Sequence, residues 1–149
     1  AAEKLQQTGL VATLKEQAAK KPVLGICLGM QLLFDWSSEV RKTDGLGFVS
    51  GQVELIETDL KLPHIGWNSL QFPNPSPLFA GLDEGCYVYF VHSFCGSAAR
   101  QENVIATTDY GGEVLAAVQS GNVFGTQFHP EKSGDVGMQI LKNFGGLTK

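Results

Sequence analysis

Apolar positions recur at helical spacing near the start of the chain and in short strand-like runs further on. From Ala1 to Lys20 the apolar residues share one predicted helical face, and Pro22 ends this helix. The following segment, PVLGIC, is a short apolar run typical of a buried parallel strand, and LGMQLLFDW resumes helical spacing. A helix, a strand, a tight turn and a second helix indicate an α/β fold with a doubly wound sheet. The residues of the first face are Leu5, Leu10, Val11, Leu14 and Ala18.

The middle of the chain predicts strands, because its runs are short and rich in Val, Ile, Phe and Tyr, with turn residues at most joins. These runs are LGFVSGQVELIE, LPHIGWNSLQF, CYVYFVHSF, NVIATTDY, EVLAAVQ and NVFGTQF. Between them, PNPSPLFAGL predicts a turn-rich connection with one short helical turn. After FHPEKS, Ser133 is the expected cap of a last helix whose apolar face is Val136, Ile140, Leu141 and Phe144.

Composition narrows the class of protein. With 149 residues, 43% of them hydrophobic, the whole of 1–149 is predicted to form one domain with its own core. The formal charge is −4 and the sequence has no basic run, so nothing in it indicates binding to nucleic acid or to a membrane surface. Three widely spaced cysteines argue against a disulfide framework or a zinc site and favour a reducing compartment. The chain opens without Met, as if already inside a helix, which predicts a fragment or a processed chain.

The segment GICLG places Cys27 between two glycines at the predicted join of strand and helix. A nucleophile elbow is such a turn, and its close backbone approach requires residues without side chains on either side. The sulfur would lie at a helix N-terminus, which favours thiolate, and the N–H of Leu28 would face a substrate carbonyl oxygen. A buried core cysteine is the alternative, and the glycines alone do not decide between the two.

The segment TQFHPEKS offers a base and an acid for that cysteine. His129 follows the last predicted strand, Pro130 stiffens the loop, and Glu131 could fix the tautomer of the His129 ring. A surface turn is the alternative for this segment taken alone. His64 and His92 are rival bases, although neither has an acid nearby in the sequence.

Four segments together carry a resemblance to a known family. GICLGMQLLF and GTQFHPEKS resemble the class I (triad) glutamine amidotransferases, and PHIGWNSL and YFVHSF resemble the glutaminase subunit or domain of imidazole glycerol phosphate synthase. The resemblance covers Ala1 to about Phe144. It implies a class I glutamine amidotransferase-like (flavodoxin-like) mixed sheet flanked by helices, in an α/β fold whose N-terminal part is missing.

The resemblance implies a role for each matching position. Cys27 would be the nucleophile, His129 the base and Glu131 its orienting acid. Gln31 and Glu39 would hold glutamine, and Gly29 would leave room for it. Leu28 would support the oxyanion. The backbone of Ser93 and Phe94 would bind the glutamine carboxylate. The positions that would face a partner are Trp67, Asn68, Tyr89 and Lys132. Cys86 and Cys95 match none of these motif positions, and we expect both to be structural.

The function implied is hydrolysis of L-glutamine to glutamate and ammonia, without a metal or cofactor. The ammonia would pass to a (β/α)8-barrel cyclase, either a separate subunit or a fused domain, for histidine biosynthesis. The expected location is the cytoplasm, or a plastid in a plant or alga.

One departure from the family leaves other functions open. The family begins with a strand-helix-strand unit and a Pro-Gly-Val-Gly loop that supports the oxyanion region, and nothing in this chain corresponds to them. The alternatives are the glutaminase of another amidotransferase, a hydrolase of other γ-glutamyl bonds, and a catalytically incompetent module that only binds a partner.

Overall fold

The helices are few and mostly short. A computed structural model of the chain describes residues 2–39 and 41–148. Its α-helices are α1 (Ala2–Gln7), α2 (Leu10–Ala18), α3 (Leu28–Leu32) and α4 (Gly134–Leu147). Within these residues no helix has the length and apolar character needed to cross a membrane.

The described residues form ten strands. They are β1 (Val23–Ile26), β2 (Phe34–Ser37), β3 (Thr43–Asp44), β4 (Val49–Leu55), β5 (His64–Ser69), β6 (Tyr87–His92), β7 (Phe94–Ala98), β8 (Val104–Asp109), β9 (Glu113–Ser120) and β10 (Val123–Thr126). Short 3-10 turns lie at Pro77–Phe79, Gln101–Asn103 and Pro130–Lys132. The helical turn predicted in PNPSPLFAGL is therefore confirmed.

The strands form two four-stranded sheets and one ribbon. The first sheet has the order β1-β10-β9-β8, the second has the order β3-β2-β4-β7, and β5 pairs with β6. Only β1 with β10 and β2 with β4 run parallel among the described pairs; the others are antiparallel. The mixed α/β architecture expected from the sequence is confirmed, with far more antiparallel pairing than a doubly wound sheet would have.

Two helical predictions were wrong in detail. The predicted helix over 1–20 is broken at Gly9, whose φ of 74° lies in the left-handed region. Helix α3 ends at Leu32, and the following FDWS is strand β2 rather than helix. Phe34 there is fully buried and pairs with Val49, so packing and strand pairing override the helical spacing.

Three of the four residues predicted for the apolar face of the last helix pack against the core, whereas the fourth, Leu141, is only partly buried. Ile140 of α4 is fully buried, and Val136 and Phe144 pack against the same core cluster as Phe90 and Phe128. A second core cluster lies around Met30, Phe34 and Val53, between α3 and the two sheets.

The parallel pair β1–β10 determines where the chemistry lies. Ile26 and Thr126 are register partners at the ends of the two strands, and the N–H of Cys27 donates to the Thr126 carbonyl at 2.7 Å. Because parallel neighbours end at the same edge of a sheet, the cysteine turn and the loop after β10 lie side by side.

The two glycines beside Cys27 differ in their surroundings. A Cβ on Gly25 would lie 2.6 Å from both the carbonyl carbon and oxygen of Gly29. A Cβ on Gly29 would meet no atom within 4 Å. Close packing of the backbone requires a glycine at position 25, as predicted. The same explanation was wrong for Gly29, because a side chain there would face open space.

This difference predicts opposite tolerance of alanine at the two positions. Gly25→Ala forces backbone apart at the turn and is expected to lower the free energy of unfolding by about 1–3 kcal/mol. Gly29→Ala is the matched control and should leave stability unchanged or slightly higher, since alanine favours the helix. Urea unfolding of both variants measures this, and equal stability of the two would contradict the packing explanation.

Candidate active site

Cys27 occupies a strained turn between β1 and α3. Its backbone has φ 54° and ψ −104°, a conformation that costs a non-glycine residue about 1–3 kcal/mol and that clusters at functional sites. The thiol lies 3.9 Å from the Val91 carbonyl, and the Gln127 side-chain N–H donates to Sγ at 3.6 Å. The side chain lines a pocket rather than the core, which argues against the core-cysteine alternative.

The surroundings of Cys27 favour the protonated thiol over the thiolate. Burial raises its pKa above the ordinary value, and the carboxylates of Glu131 and Glu39 act in the same direction. Hydrogen bonds from the Leu28 N–H and from Gln127 lower the pKa without reversing the shift. The Leu28 N–H at the start of α3 favours thiolate, as the sequence predicted, but burial has the larger effect and the net shift of the pKa is upward.

His129 and Glu131 form a close pair in the loop after β10. His129 Nδ1 lies 2.6 Å from Glu131 Oε1, as the sequence predicted, and the histidine side chain is 19% exposed. Within the described part of the chain, the thiol of Cys27 has no hydrogen bond to this ring. Catalytic hydrogen bonds are often long before substrate binds, so the gap does not exclude His129 as the base.

Ser133 holds this loop in place. Its buried hydroxyl accepts from the Tyr89 N–H at 3.0 Å and donates to the His129 carbonyl at 2.6 Å. The His129 N–H in turn donates to the Tyr89 carbonyl at 3.0 Å. Ser133 stands at the start of α4, but its side chain makes no capping hydrogen bond, so the predicted cap was wrong. The hydroxyl joins the histidine loop to β6 instead.

A pocket of about 360 Å³ opens beside the thiol. Its size falls within the range of small-molecule sites. The pocket is lined by Cys27, Leu28, Gln31, Glu39, Pro63, Val91, His92, Ser93 and Phe94. Five of the predicted substrate positions thus meet at one site, and the sixth, Gly29, lies on the adjacent turn.

Gln127 is a site residue that the sequence analysis missed. It is fully buried, and its Oε1 accepts from Gln31 Nε2 at 3.2 Å while its Nε2 contacts the thiol of Cys27. Gln31 Nε2 also donates to the Phe94 carbonyl at 3.2 Å. The spacing in the sequence could have identified it. Gln127 precedes His129 by two residues, and side chains two residues apart in an extended segment point to the same side.

The rival bases His64 and His92 lie inside the protein. They are 2% and 6% exposed, and His64 Nδ1 lies 3.0 Å from His92 Nε2. Burial lowers the pKa of His64 to about 4 and also lowers the pKa of His92. No carboxylate contacts either ring in the described residues, so neither has the partner that His129 has.

Three of the predicted partner-facing residues lie on the β5–β6 ribbon, on its two faces, and the fourth, Lys132, lies in the loop after β10. Trp67 is 55% exposed and meets Tyr89 edge to face, with ring centroids 6.0 Å apart; Lys132 is exposed as well. This exposure excludes a core role for Trp67. The Asn68 side chain lies on the opposite, inner face, where it contacts His64.

The two remaining cysteines lie outside the pocket. Cys86 packs against the core cluster around Phe90, and burial raises the pKa of Cys95 to about 11. Both are free thiols.

Comparison with known proteins agrees with this geometry. The family described as Glutamine amidotransferase class-I matches residues 4–146. The chain is 48% identical over 146 residues to the imidazole glycerol phosphate synthase subunit HisH of Moorella thermoacetica, covering 97% of this chain and 70% of that protein. It is 49% identical over 150 residues to HisH of Bacillus cereus (strain G9842), covering 100% of this chain and 71% of that protein.

Solved structures support the fold at lower identity. A putative GMP synthase component from Thermoplasma acidophilum matches with a TM-score of 0.67 and 23% identity, over 98% of this chain and 66% of that one. A glutamine amidotransferase from Thermotoga maritima matches with a TM-score of 0.61 and 20% identity, over 95% and 53%. The family match and the HisH relatives lead to one conclusion: the chain belongs to the class I glutamine amidotransferases and, among them, to the HisH subunits of imidazole glycerol phosphate synthase.

Proposed function

We propose that this chain hydrolyses L-glutamine with Cys27 as nucleophile, His129 as base and Glu131 as orienting acid, and delivers the ammonia to a cyclase subunit. The observation that carries the proposal is the convergence at the ends of β1 and β10. A strained cysteine beside a pocket and a His–Glu pair at 2.6 Å lie on neighbouring parallel strands. Such a set of side chains suits nucleophilic acyl transfer.

Because burial raises the pKa of the Cys27 thiol, a base is needed to remove its proton. His129 takes the proton of Cys27, and Glu131 stabilises the imidazolium and holds the ring with Nε2 free to act. The thiolate then attacks the side-chain amide carbon of glutamine. The Leu28 N–H, which donates to the sulfur of Cys27, is the proposed donor to the developing oxyanion.

The imidazolium of His129 next protonates the departing amine, and ammonia leaves a γ-glutamyl thioester on Cys27. Water enters, His129 accepts its proton, and attack on the thioester releases glutamate and restores the thiol.

The pocket beside Cys27 is the proposed glutamine site. Its chemistry suits an amino acid with a charged end, since Glu39 supplies a carboxylate for the ammonium group and the Ser93–Phe94 backbone is available to the carboxylate. Gln31, held by Phe94 and Gln127, is oriented before substrate binds.

A partner is proposed because free ammonia becomes unreactive ammonium in neutral water. The outer face of the β5–β6 ribbon supports this: Ile65, Trp67 and Tyr87 are each more than half exposed, and Lys132 lies nearby in the histidine loop. An apolar exposed patch with a neighbouring cation is typical of a protein interface. We propose that a (β/α)8-barrel cyclase binds there, in the cytoplasm, where the free thiols would stay reduced.

Glutamate release by the complete protein with its cyclase subunit tests the catalytic roles. Cys27→Ala is expected to abolish release, and Glu131→Gln should slow it roughly 10²- to 10⁴-fold because the imidazolium loses its partner. Cys86→Ala is the control for removing a thiol elsewhere and should retain activity. Turnover by Cys27→Ala equal to that of the unaltered protein would refute the proposal.

Alkylation by iodoacetamide tests the contact between Gln127 and the thiol. Gln127→Met removes an N–H that stabilises the thiolate, so the pKa of Cys27 should rise further and alkylation at pH 7–8 should slow. The midpoint of the rate-against-pH curve should move upward. Gln119→Met, a similar change at a half-buried glutamine bound to Ser76, is the control and should alter neither. An unchanged curve for Gln127→Met would show that the contact has no effect on the thiolate.

Binding measurements test the proposed interface. Trp67→Ala removes an exposed aromatic anchor and should weaken cyclase binding by roughly 2 kcal/mol or more, a typical hot-spot effect. Leu55→Ala, at an exposed apolar residue of β4 outside the ribbon, is the control and should bind normally. Calorimetric titration measures both, and equal loss in the two variants would place the interface elsewhere.

A further inference from the structure

Two buried histidines face each other across the β5–β6 ribbon and have no part in the mechanism above. His64 and His92 are register partners, and the His64 ring lies between two aromatic rings, with centroids 4.7 Å from Phe90 and 4.0 Å from Tyr110. Buried polar side chains are costly unless their hydrogen bonds are complete. The partners at each end of this pair determine where its protons lie.

The first end is Asn68, whose amide orientation is fixed by two backbone contacts. Nδ2 donates to the Asp109 carbonyl at 2.8 Å, and Oδ1 accepts from the Ser69 N–H at 2.8 Å. The nitrogen that faces His64 Nε2 at 3.3 Å is therefore a donor, and His64 Nε2 must carry no proton. The proton of a neutral His64 is then on Nδ1.

The second end is the Phe94 carbonyl, which can only accept. His92 Nδ1 lies 2.9 Å from it and must carry a proton. His92 Nε2 is then free to accept from His64 Nδ1 at 3.0 Å. Both ends assign the same tautomers, with each ring neutral and protonated on Nδ1. Burial lowers the pKa of both histidines, which agrees with neutral rings.

This series of hydrogen bonds, from Asn68 through the two histidines, ends at the proposed glutamine pocket. The Phe94 carbonyl that accepts from His92 also accepts from Gln31 Nε2 at 3.2 Å. Phe94, Gln31 and His92 all line that pocket.

We propose that Asn68, His64 and His92 are positioning residues that form a one-directional hydrogen-bond chain holding the Phe94 carbonyl, and through it Gln31, in the geometry that binds glutamine. The proposal rests on the proposed function of the pocket. It gives Asn68 an internal role as the anchor of the chain, instead of the partner contact that the family resemblance implies.

Nitrogen-15 NMR of the histidine rings tests the proton positions without any need for activity. In the unaltered protein at pH 7, His64 and His92 should both show the neutral Nδ1–H form. Asn68→Asp places a carboxylate oxygen against His64 Nε2 and should shift His64 toward a form protonated at that nitrogen. An Nε2–H tautomer or a charged ring at either position in the unaltered protein would overturn the proposal.

Glutamine kinetics of the complete protein with its cyclase subunit test the positioning role. His92→Leu removes the donor to Phe94 and is expected to raise KM roughly tenfold while kcat changes less than about threefold, since the contact serves binding rather than the reacting atoms. His92→Asn offers a side-chain N–H near the place of Nδ1 and should recover most of the lost affinity.

Phe90→Leu is the control for packing, because it alters the ring stacked on His64 but breaks no link of the chain. It should lower stability and leave KM near that of the unaltered protein. Equal KM values for His92→Leu and the unaltered protein, or no recovery in His92→Asn, would overturn the positioning role. Absence of glutamine hydrolysis in the unaltered protein would instead refute the proposed function, and the NMR result would then decide the hydrogen-bond chain by itself.

Discussion

The pairing of β1 with β10 is the contact on which the site depends. These strands are far apart in the sequence, yet they run parallel in register from Val23–Val123 to Ile26–Thr126. One backbone hydrogen bond, from the Cys27 N–H to the Thr126 carbonyl, continues the ladder into the turn. A slip of one residue would turn every side chain of the shifted strand to the opposite face and separate Gln127 from the thiol. The geometry around Cys27 is thus a property of the sheet edge rather than of the cysteine turn alone.

The sequence predicted local chemistry better than it predicted the boundaries of elements. The elbow at GICLG, the contact between His129 and Glu131 and the apolar face of the last helix all arise from neighbours in the sequence, and each is present. Strand β2 was missed because FDWS continues a helical spacing, while its structure is decided by burial of Phe34 and pairing with β4. Gln127 and Ser133 were missed or misjudged for a related reason. Their partners, Cys27 and Tyr89, are distant in the sequence, and no local pattern records such contacts.

Electrostatics gives the clearest case of a local rule overridden by tertiary structure. A helix start beside a cysteine ordinarily favours thiolate, but α3 contributes a single short turn and the pocket walls remove water from the sulfur. Two carboxylates nearby act in the same direction as burial. Burial also decides the charge of the two histidines on the inner face of the β5–β6 ribbon. They are held neutral by burial and by their hydrogen-bond partners, Asn68 at one end and the Phe94 carbonyl at the other.

The protonated state of Cys27 has a consequence for the durability of the protein. Oxidants and stray electrophiles react with thiolate, so a thiol that stays protonated is a poor substrate for sulfenic acid formation. A thiol whose pKa is raised by burial is therefore less open to such damage than a thiolate at the same place would be. The burial that raises the pKa of Cys27 therefore also protects its sulfur from oxidation.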